Sequence, residues 1–371
     1  MKVATILGTR PEIIRLACII KKLDEYFEHI LIHTGQNFDP NLNDIFFSEL
    51  CIRKPDYHLN IVGKNLGESM GNVISSSYDL LQKIQPNCIL ILGDTNSALS
   101  AISAKRLKIP IFHMEAGNRC FDQVVPEEIN RKIVDHISDI NLPYTEHSRR
   151  NLLAEGLRPD HIIVTGSPLT EVYNFYSEHI MKSNILANQS LSRQSYILFS
   201  IHREENIDIE TNWKKVIHSI NTVAITYRTK AIIVSTHPRT RKKIIEDNIK
   251  FEPNIVLNNP FGLFDYLNLQ KNAYCVISDS GTISEEAILL NVPAISFRIC
   301  TERPEAIDSG GIILSGLESE DLLTAINVTT KQLHNIRSIP VDYSELNVSD
   351  KVVRVILSYV PVINKVIWKK N

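Results

Sequence analysis

The segment Lys2–Leu23, KVATILGTRPEIIRLACIIKKL, holds one complete strand-to-helix unit. KVATIL is a short apolar, β-branched run that predicts a strand. Pro11 is placed as the first residue of a helix, where its missing N–H costs nothing, and the helix is predicted over Pro11–Leu23. A strand that is apolar throughout suits a sheet covered on both faces, as parallel sheets are. The segment therefore predicts a parallel α/β fold.

The same alternation continues outward from this unit to the end of the chain. Further helices are predicted over Leu66–Lys83, Glu127–Ser138 and Ile209–Tyr227. The predicted strands are Lys2–Leu7, His29–His33, Ile89–Leu92, Ile111–Met114, Ile140–Pro143 and His161–Val164, then Tyr196–Ile201, Ala231–Ser235, Ile255–Leu257, Tyr274–Ser278, Ala294–Phe297 and Gly311–Leu314. Strand–helix alternation predicts a doubly wound parallel sheet, and here it occurs twice.

A polar stretch separates the two series of strands. Thr170–Ser195 is rich in Asn, Ser and Gln and has no strong strand signal. We therefore expect one Rossmann-like domain over residues 1–169 and a second over 170–349, followed by a helix within 350–371. Two such domains facing a cleft would place a ligand at the C-terminal ends of their strands.

Composition excludes several classes of partner. The 371 residues include 40 Lys and Arg against 42 Asp and Glu, a formal net charge of −2, which gives no reason to expect nucleic acid or an anionic membrane. Apolar runs fall short of the roughly 18 residues that cross a bilayer, and the apolar stretch at the N-terminus is too short for a secretion signal. We expect a cytoplasmic protein. Its six cysteines are too widely spaced for a CxxC pair or a zinc ribbon, so we predict no metal site.

Charged residues follow the predicted strands of the first half. Arg10 and Arg15 flank the first helix start, where free backbone N–H groups favour a carboxylate or phosphate; solvated surface arginines are the alternative. The third strand runs into Asp94, the fourth runs into Glu115, and a helix then begins at Glu127. Acids are common in the first turn of a helix, but three acids at one end of a sheet also suit divided acid and base roles.

In the second half, the residues that follow the predicted strands are of a different chemical kind. Ser280 and Gly281 open a predicted helix whose N–H groups can cradle a phosphate, and Glu286 follows one turn later, where a carboxylate can bind ribose hydroxyls. Thr282 and Glu285 have the spacing of a capping box, so Glu285 is predicted to be structural. Other polar residues that follow strands here are His202, Arg203 and His237.

Two familiar nucleotide motifs are missing. The chain has neither GxGxxG nor GxxxxGK[ST], so a nicotinamide fingerprint and a P-loop are both excluded. Acids with arginines in one domain and phosphate-binding features in the other indicate an enzyme that holds a nucleoside diphosphate in one domain and its sugar against the other.

Seven segments resemble the non-hydrolysing UDP-N-acetylglucosamine 2-epimerases, a family with a glycosyltransferase-B-like fold. They span both domains in the family's order: GTRPEIIR (8–15), GDTNS (93–97), HMEAGNR (113–119), PEEINRK (126–132), HREEN (202–206), DSGTISEE (279–286) and TERPEA (301–306). The resemblance implies a UDP-sugar substrate, no metal or nicotinamide cofactor, a homodimer, and a last helix (350–371) that packs back on the N-terminal domain.

The resemblance also implies roles for individual residues. The residues that stand at the family's catalytic positions are Asp94, Glu115, Glu127 and His202. Those that stand at its substrate-binding positions are Arg10, Arg15, Arg119, Arg203, His237, Ser280, Gly281 and Glu286. Two departures are visible: Arg15 stands where the family commonly has Lys, and Glu204 replaces an arginine.

The loop after Glu115 bears on the sugar. The family's usual Gly-Leu-Arg-Thr-Gly-Asp loop is here GNRCFDQ (117–123). This version resembles a subgroup that converts UDP-2-acetamido-2,6-dideoxy-L-talose to UDP-N-acetyl-L-fucosamine, a precursor of bacterial capsule and O-antigen. We expect Phe121, Val124 and Val125 to pack against the methyl group of that sugar. A UDP-N-acetylglucosamine 2-epimerase making UDP-N-acetylmannosamine, a hydrolysing epimerase and a GT-B glycosyltransferase are the alternatives.

Overall fold

The chain divides into two units, which are described separately. The computed structural model describes residues 1–35, 40–123, 125–332 and 339–370. The first unit comprises Met1–Tyr176 and Val341–Asn371, and the second comprises Ser177–Pro340. The predicted boundary after 169 lies several residues before the first of these boundaries, whereas the predicted boundary after 349 lies several residues beyond the second. Tyr176 belongs with the first unit because its hydroxyl donates a hydrogen bond to the carbonyl of Leu50 (2.5 Å).

The first unit is built on a six-stranded parallel sheet. Its strands are β1 (Lys2–Leu7), β2 (Glu28–His33), β3 (Tyr57–His58), β4 (Cys88–Leu92), β5 (Ile111–Met114) and β6 (Ile140–Leu142). They lie in the order β3-β2-β1-β4-β5-β6, and all neighbours are parallel. Every residue of β4 and β5 is buried, as expected for a sheet covered on both faces.

Helices cover both faces of this sheet. They are α1 (Arg10–Tyr26), α2 (Pro40–Glu49), α3 (Leu66–Ile84), α4 (Ser100–Arg106), α5 (Pro126–Ile137), α6 (Glu146–Ala154) and α7 (Pro168–Phe175). The predicted strand at His161–Val164 is wrong. Pro159–His161 forms a 3-10 turn, and Ile162 makes only an isolated bridge to Asn141 beside β6.

The second unit repeats the architecture. Its strands are β7 (Tyr196–Ser200), β8 (Ala231–Ser235), β9 (Ile255–Asn258), β10 (Cys275–Ser278), β11 (Ala294–Ser296) and β12 (Ile313–Leu314). The order β9-β8-β7-β10-β11-β12 places the first strand of the unit at the centre, as in the first sheet. Both sheets therefore have the strand order 3-2-1-4-5-6 of a Rossmann fold, which confirms the predicted fold class.

The helices of the second unit include several short ones. They are α8 (Ser177–Met181), α9 (Ile185–Asn188), α10 (Glu204–Ile207), α11 (Glu210–Thr226), α12 (Pro238–Glu246), α13 (Leu263–Asn272), α14 (Ile283–Leu289), α15 (Pro304–Asp308) and α16 (Ser319–Lys331). Helices α10, α12 and α14 are among those that begin shortly after a strand, so the loops before them lie at the carboxyl edge of the sheet.

The C-terminal helix returns to the first unit. Helix α17 (Val348–Val366) packs on α1 and α7. Its apolar face recurs every three or four residues, and Val352, Ile356, Val360 and Ile363 are all buried. No helix in the described ranges combines the length and apolar character that a membrane span requires.

Candidate functional site

The carboxyl ends of β4 and β5 bring two of the predicted acids together. These strands are neighbours, with Leu92 opposite Met114, and Asp94 and Glu115 follow them. Gly93, which precedes Asp94, has a left-handed backbone (φ +73°). A Cβ added there would lie 3.6 Å from Oε2 of Glu115. The carboxylate of Glu115 therefore lies beside the turn that carries Asp94.

Asp94 is paired with an arginine from α5. The Nε and Nη2 groups of Arg131 both donate to Oδ2 of Asp94, at 3.0 and 2.5 Å. Asn130, the preceding residue, donates to the backbone carbonyl of Asp94 (2.9 Å). Arg131 also donates to Glu128 (2.8 Å). These contacts fix the carboxylate against α5 and supply its counter-charge.

Glu115 stands on a left-handed backbone (φ +64°), which is uncommon for a residue with a side chain. Its Oε1 accepts a hydrogen bond from the Asn118 amide (3.2 Å), and its Oε2 lies 3.9 Å from Nε of Arg15. Arg15 is buried, with its guanidinium 5.5 Å from the centre of the Tyr144 ring. Strained backbone of this kind clusters at functional sites. Arg15 is therefore a neighbour of an acid rather than a surface cation.

Two further predicted residues lie nearer the surface of the first unit. Glu127 is half-buried in the first turn of α5, one turn before Arg131 on the same helical face. Arg10 is exposed at the start of α1, with its guanidinium 5.6 Å from the centre of the Phe46 ring. Arg10 is therefore accessible to an anion.

Arg119 does not have the predicted substrate-binding environment. It is buried, and its guanidinium donates to both carboxylate oxygens of Glu155 (2.7 and 2.6 Å), to Asp135 (2.7 Å) and to the carbonyl of Asn118 (2.7 Å). Asp135 also accepts the N–H of Gly117 (3.1 Å). The prediction is corrected because this arginine points inward and fastens the loop after Glu115 to α5 and α6.

The sequence reading missed Glu12, a buried carboxylate of α1. Its Oε2 accepts the backbone N–H groups of Gly8 and Thr9, both at 2.7 Å, and the hydroxyl of Thr9 (3.0 Å). Its Oε1 accepts the hydroxyl of Thr95 (2.8 Å). Burial raises the pKa of Glu12 to about 7, although these donors lower it. Glu12 thus joins the turn before Arg10 to the turn that carries Asp94. The Thr9-x-x-Glu12 spacing was the available signal.

The loop predicted to face the sugar is held by Glu128. This buried carboxylate accepts the N–H groups of Cys120 (3.2 Å) and Phe121 (3.3 Å) and the thiol of Cys120 (3.3 Å). Phe121 has a left-handed backbone (φ +57°), and 75% of its surface is exposed. Val125, the residue before the first turn of α5, is buried, contrary to its predicted contact with the sugar. Val124 lies outside the described residues.

In the second unit the loop after β7 is held by a buried carboxylate, Asp279. Its two oxygens accept the backbone N–H of His202 (3.1 Å to each), the N–H of Arg203 (3.0 Å) and the amide of Asn206 (3.0 Å). Arg203 also donates to Glu205 (2.7 Å). The side chain of His202 is 38% exposed. The sequence reading did not single out Asp279, although it follows a strand as Asp94 does.

The loop after β8 complements the one after β7. His237 is exposed at the N-terminus of α12, and its Nδ1 accepts the N–H of Arg239 (3.4 Å). Arg239 donates to Glu204 (2.8 Å) and pairs with Asp208. The negative charge that the sequence gains at Glu204 is therefore matched by an arginine in the first turn of α12.

Residues after β10 form a tight turn. The Ser280 and Thr282 hydroxyls are 2.9 Å apart, and the N–H of Thr282 donates to the Ser280 hydroxyl (3.3 Å). A Cβ on Gly281 would lie 2.3 Å from Oε1 of Glu302, whose carboxylate pairs with Arg298 (2.9 Å). A side chain at position 281 would therefore require the Glu302 carboxylate to move.

The two glutamates that follow are both buried. Glu286 accepts a hydrogen bond from the Gln270 amide (2.6 Å). Glu285 lies 3.1 Å from Nε of Arg303. The predicted capping box is wrong because the Thr282 side chain makes no capping hydrogen bond and Glu285 is used by Arg303. Across the described ranges, no cluster of three His, Cys, Asp or Glu residues is suited to hold a metal ion.

These two sheet edges define a class of protein. Acids with their own cations follow the strands of one Rossmann-like unit, while a histidine, an arginine and a Ser-Gly turn follow the strands of the other. That combination is characteristic of α/β enzymes that act on nucleotide sugars.

Comparison with known proteins gives the family. A family model described as UDP-N-acetylglucosamine 2-epimerase matches residues 21–357. The UDP-N-acetylglucosamine 2-epimerase of Methanocaldococcus jannaschii is 38% identical over 90% of this chain and 94% of its own. The chain therefore belongs to the non-hydrolysing UDP-N-acetylglucosamine 2-epimerase family, and it is a nucleotide-sugar epimerase.

Two further comparisons bear on structure and substrate. A UDP-N-acetylglucosamine 2-epimerase structure from Rickettsia bellii has a TM-score of 0.93 and 46% identity, with both chains fully covered. The UDP-2,3-diacetamido-2,3-dideoxy-D-glucuronate 2-epimerase of Pseudomonas aeruginosa is 34% identical over 85% of this chain and 88% of its own. The glycosyltransferase WaaG, at 9% identity and a TM-score of 0.59 over 96% of this chain and 99% of its own, shares the fold alone.

Proposed function

We propose that this epimerase converts UDP-2-acetamido-2,6-dideoxy-L-talose to UDP-N-acetyl-L-fucosamine, a precursor of capsule or O-antigen polysaccharide. The observation that carries the proposal is Phe121. This residue is 75% exposed although its backbone N–H is held by Glu128, in the loop that follows Glu115. An exposed aromatic ring on an anchored backbone suits the methyl group of a 6-deoxy sugar. The hydroxyl of a CH₂OH group buried there without a partner would cost about 1–3 kcal/mol.

The reaction requires elimination rather than simple deprotonation. C2 has no adjacent carbonyl, so removal of its proton alone would leave an unstabilised carbanion. In the proposed route a carboxylate removes the proton from C2. The electron pair of the broken C2–H bond forms the C1–C2 double bond, and the C1–O bond breaks with its electrons leaving on UDP. A 2-acetamidoglycal and UDP result. UDP then returns to C1 while a proton reaches the opposite face of C2.

The first unit is proposed to supply the acid and base groups. Asp94, Glu115 and Glu127 are the proposed catalytic residues, and Arg131 and Arg15 are close enough to balance the charges of the first two. Two acids with separate environments can hold different protonation states, as removal and delivery of a proton require. Arg10 is proposed to bind the leaving diphosphate because it is exposed near this edge.

The second unit is proposed to hold UDP. His202 is the proposed catalytic residue of this unit, with its ring partly exposed beside Asp279. Glu286 is proposed to bind the ribose. The other proposed ligands of the nucleotide are Arg203, His237, Ser280 and Gly281.

The second candidate substrate is UDP-N-acetylglucosamine, giving UDP-N-acetylmannosamine. It is favoured by the names of the relatives, including the Rickettsia bellii protein at 46% identity. A relative at 34% identity is nevertheless named for a diacetamido-glucuronate sugar, against 38% for the M. jannaschii enzyme. Relatives of similar sequence identity are thus named for different sugars, so overall identity does not select the substrate. We choose between the two substrates by the loop after Glu115.

The deciding experiment compares kcat/KM for the two UDP-sugars. We expect a higher value for the 6-deoxy-L-talose sugar, by about 5- to 150-fold. Phe121→Ser should lower that preference by about 4-fold, the value of one buried methyl group, whereas Phe121→Leu should retain most of it. Phe175→Ser, at an exposed phenylalanine of α7, is the matched control. A higher kcat/KM for UDP-N-acetylglucosamine would overturn the substrate and leave the family unchanged.

Two further measurements test the route and the assembly. In D₂O the product should carry deuterium at C2, and its absence would rule out the elimination. The proposed homodimer, supported by the exposed apolar residues Ile129 and Ile133 one turn apart on α5, should appear as a dimer in sedimentation equilibrium. A monomer at micromolar concentration would reject it.

A further inference from the structure

A buried amide lies against the glutamate that is proposed to bind the ribose. Gln270 is near the end of α13, the helix before β10, and Glu286 is in α14, the helix after it. The Nε2 group of Gln270 donates a hydrogen bond to Oε2 of Glu286 (2.6 Å). Gln270 is fully buried and Glu286 is only 7% exposed, so this hydrogen bond is formed away from solvent.

The oxygen of the same amide is in a different situation. Among the described residues, the buried Oε1 of Gln270 has no hydrogen-bond partner. A buried polar atom without a partner destabilises the folded state, so packing alone favours an apolar side chain of similar size at this position. The presence of an amide here is therefore explained by its donation to Glu286.

The hydrogen bond limits the directions that the Glu286 carboxylate can take. An ionised carboxylate only accepts hydrogen bonds, and a buried donor at short distance holds one of its oxygens in place. Gln270 is uncharged, so it holds this oxygen without adding a cation that would compete with ribose hydroxyls. A carboxylate that is already oriented binds more tightly, because less side-chain freedom is lost when the ligand arrives.

We propose that Gln270 is a positioning residue that orients the Glu286 carboxylate for the ribose hydroxyls of UDP. This inference rests on the proposed function, because Glu286 binds ribose only there. Gln270 acts through Glu286 and is assigned no contact of its own with the nucleotide.

The test compares the binding of two nucleotides to each variant. UDP and 2′,3′-dideoxy-UDP differ only in the two ribose hydroxyls, so the ratio of their Kd values, measured by isothermal titration, reports recognition of those hydroxyls. A general loss of folded protein weakens binding of both nucleotides alike and leaves the ratio unchanged. The ratio therefore responds to a change at the ribose and not to a purely structural role.

We expect wild type to prefer UDP over the dideoxy analogue by about 10-fold, the value of a hydrogen bond to a charged group. Gln270→Met keeps the length of the side chain and removes the donor, and it should lower this preference to about 2- to 3-fold. Gln270→Leu is a second variant, for which the same fall is expected.

Asn268→Leu is the matched control. Asn268 is a buried amide of the same helix, but it donates to the carbonyl of Ile180 (2.8 Å). This variant should keep the wild-type preference for UDP. Equal falls in Gln270→Met and Asn268→Leu would overturn the inference, because the effect would then belong to α13 as a whole.

A double-mutant cycle separates this inference from the proposed role of Glu286. If Gln270 acts through Glu286, Gln270→Met should cause no further fall in the preference in a Glu286→Ala background, and additive falls would reject the inference. A wild-type preference in both Gln270 variants, beside a lost preference in Glu286→Ala, would overturn the inference alone. A wild-type preference in Glu286→Ala would instead reject the ribose-binding role of Glu286, and the inference with it.

Discussion

Asp94 and Asp279, which follow the fourth strands of the two sheets, are satisfied in different ways. In the first unit Asp94 is paired with Arg131, and the buried Asp135 of α5 is paired with Arg119. In the second, Asp279 accepts backbone N–H groups and a side-chain amide, and leaves the neighbouring cations to other partners. Arginines at a strand end therefore need not mark an anion site. In the first unit most of them neutralise the protein's own acids.

The largest effect is expected at the buried pair of the first unit. Arg119→Met should reduce the free energy of unfolding by about 3–5 kcal/mol. The buried carboxylate of Asp135 and the partly buried carboxylate of Glu155 would both lose the cation that neutralises them. Arg158→Met removes an exposed partner of Asp160 and should leave the free energy of unfolding nearly unchanged, because solvent screens exposed ion pairs. Urea unfolding measures both. A stable Arg119→Met enzyme with a raised KM would restore the substrate-binding role.

The second-largest effect is a pH dependence of the free energy of unfolding that comes from Glu12, which unlike the arginine-paired acids has no cation beside it in the contacts described above. The pKa of Glu12 is about 7 in the folded chain and 4.5 ordinarily, so its ionisation opposes folding. Its stabilising contribution is complete below pH 4.5 and is lost as pH rises to 7, an effect of about 3 kcal/mol. Glu12→Gln should abolish this loss.

The measurement is urea unfolding of wild type and Glu12→Gln at pH 4.5 and pH 7.5. The variant should gain about 3 kcal/mol relative to wild type between the two pH values. Glu25→Gln, at an exposed position of the same helix, is the control and should show no such change. A pH-independent difference between wild type and Glu12→Gln would contradict the assigned ionisation.

The third-largest effect is expected on kcat, at the three acids of the first unit that are proposed to be catalytic. Asp94→Asn should lower kcat at least about 100-fold, as loss of a general acid or base does, with UDP affinity nearly unchanged. Glu115→Gln and Glu127→Gln are expected to act similarly. Asp160→Asn is the matched control, because Asp160 is also paired with an arginine at 2.5 Å but is exposed. Wild-type kcat in all three site variants would show that the acids are structural.

The smallest effect is expected in the second unit. Glu286→Ala should raise the Kd for UDP about 10-fold and leave kcat at saturation nearly unchanged, since contacts to ribose are made equally in the ground and transition states. Glu246→Ala, an exposed acid of α12, should leave both constants unchanged. Isothermal titration and steady-state kinetics measure them. A fall in kcat without a change in Kd would place Glu286 in the chemistry.

Much of the fold was predictable because its strands are apolar on both faces. β1, β5 and β8 have the predicted bounds, and the fully buried β4 differs by one residue. The missed strand, Tyr57–His58, is a two-residue edge strand with no apolar run to mark it. The segment at His161–Val164 has the β-branched pattern of a strand, but it follows a proline-led 3-10 turn and pairs through a single bridge.

The site was predictable only in part, for a physical reason. The carboxyl ends of parallel strands lie at one edge of the sheet, so position alone singled out Asp94, Glu115 and His202 as candidate site residues. Position does not tell whether a long side chain turns inward, and Arg119 illustrates the failure. Buried acids such as Glu12 differ from exposed ones through their neighbours in space, which spacing along the chain does not show.

The return of α17 to the first unit has a consequence for biosynthesis. Residues of the first unit flank the whole of the second in the chain, so the second unit, being continuous, has all its residues available earlier. During N-to-C synthesis the first unit cannot be completed until α17 has been made, and until then the side of α1 that contacts α17 stays uncovered. We expect nascent chains that end before Val348 to expose this apolar surface to chaperones, although every strand of both sheets has already been made.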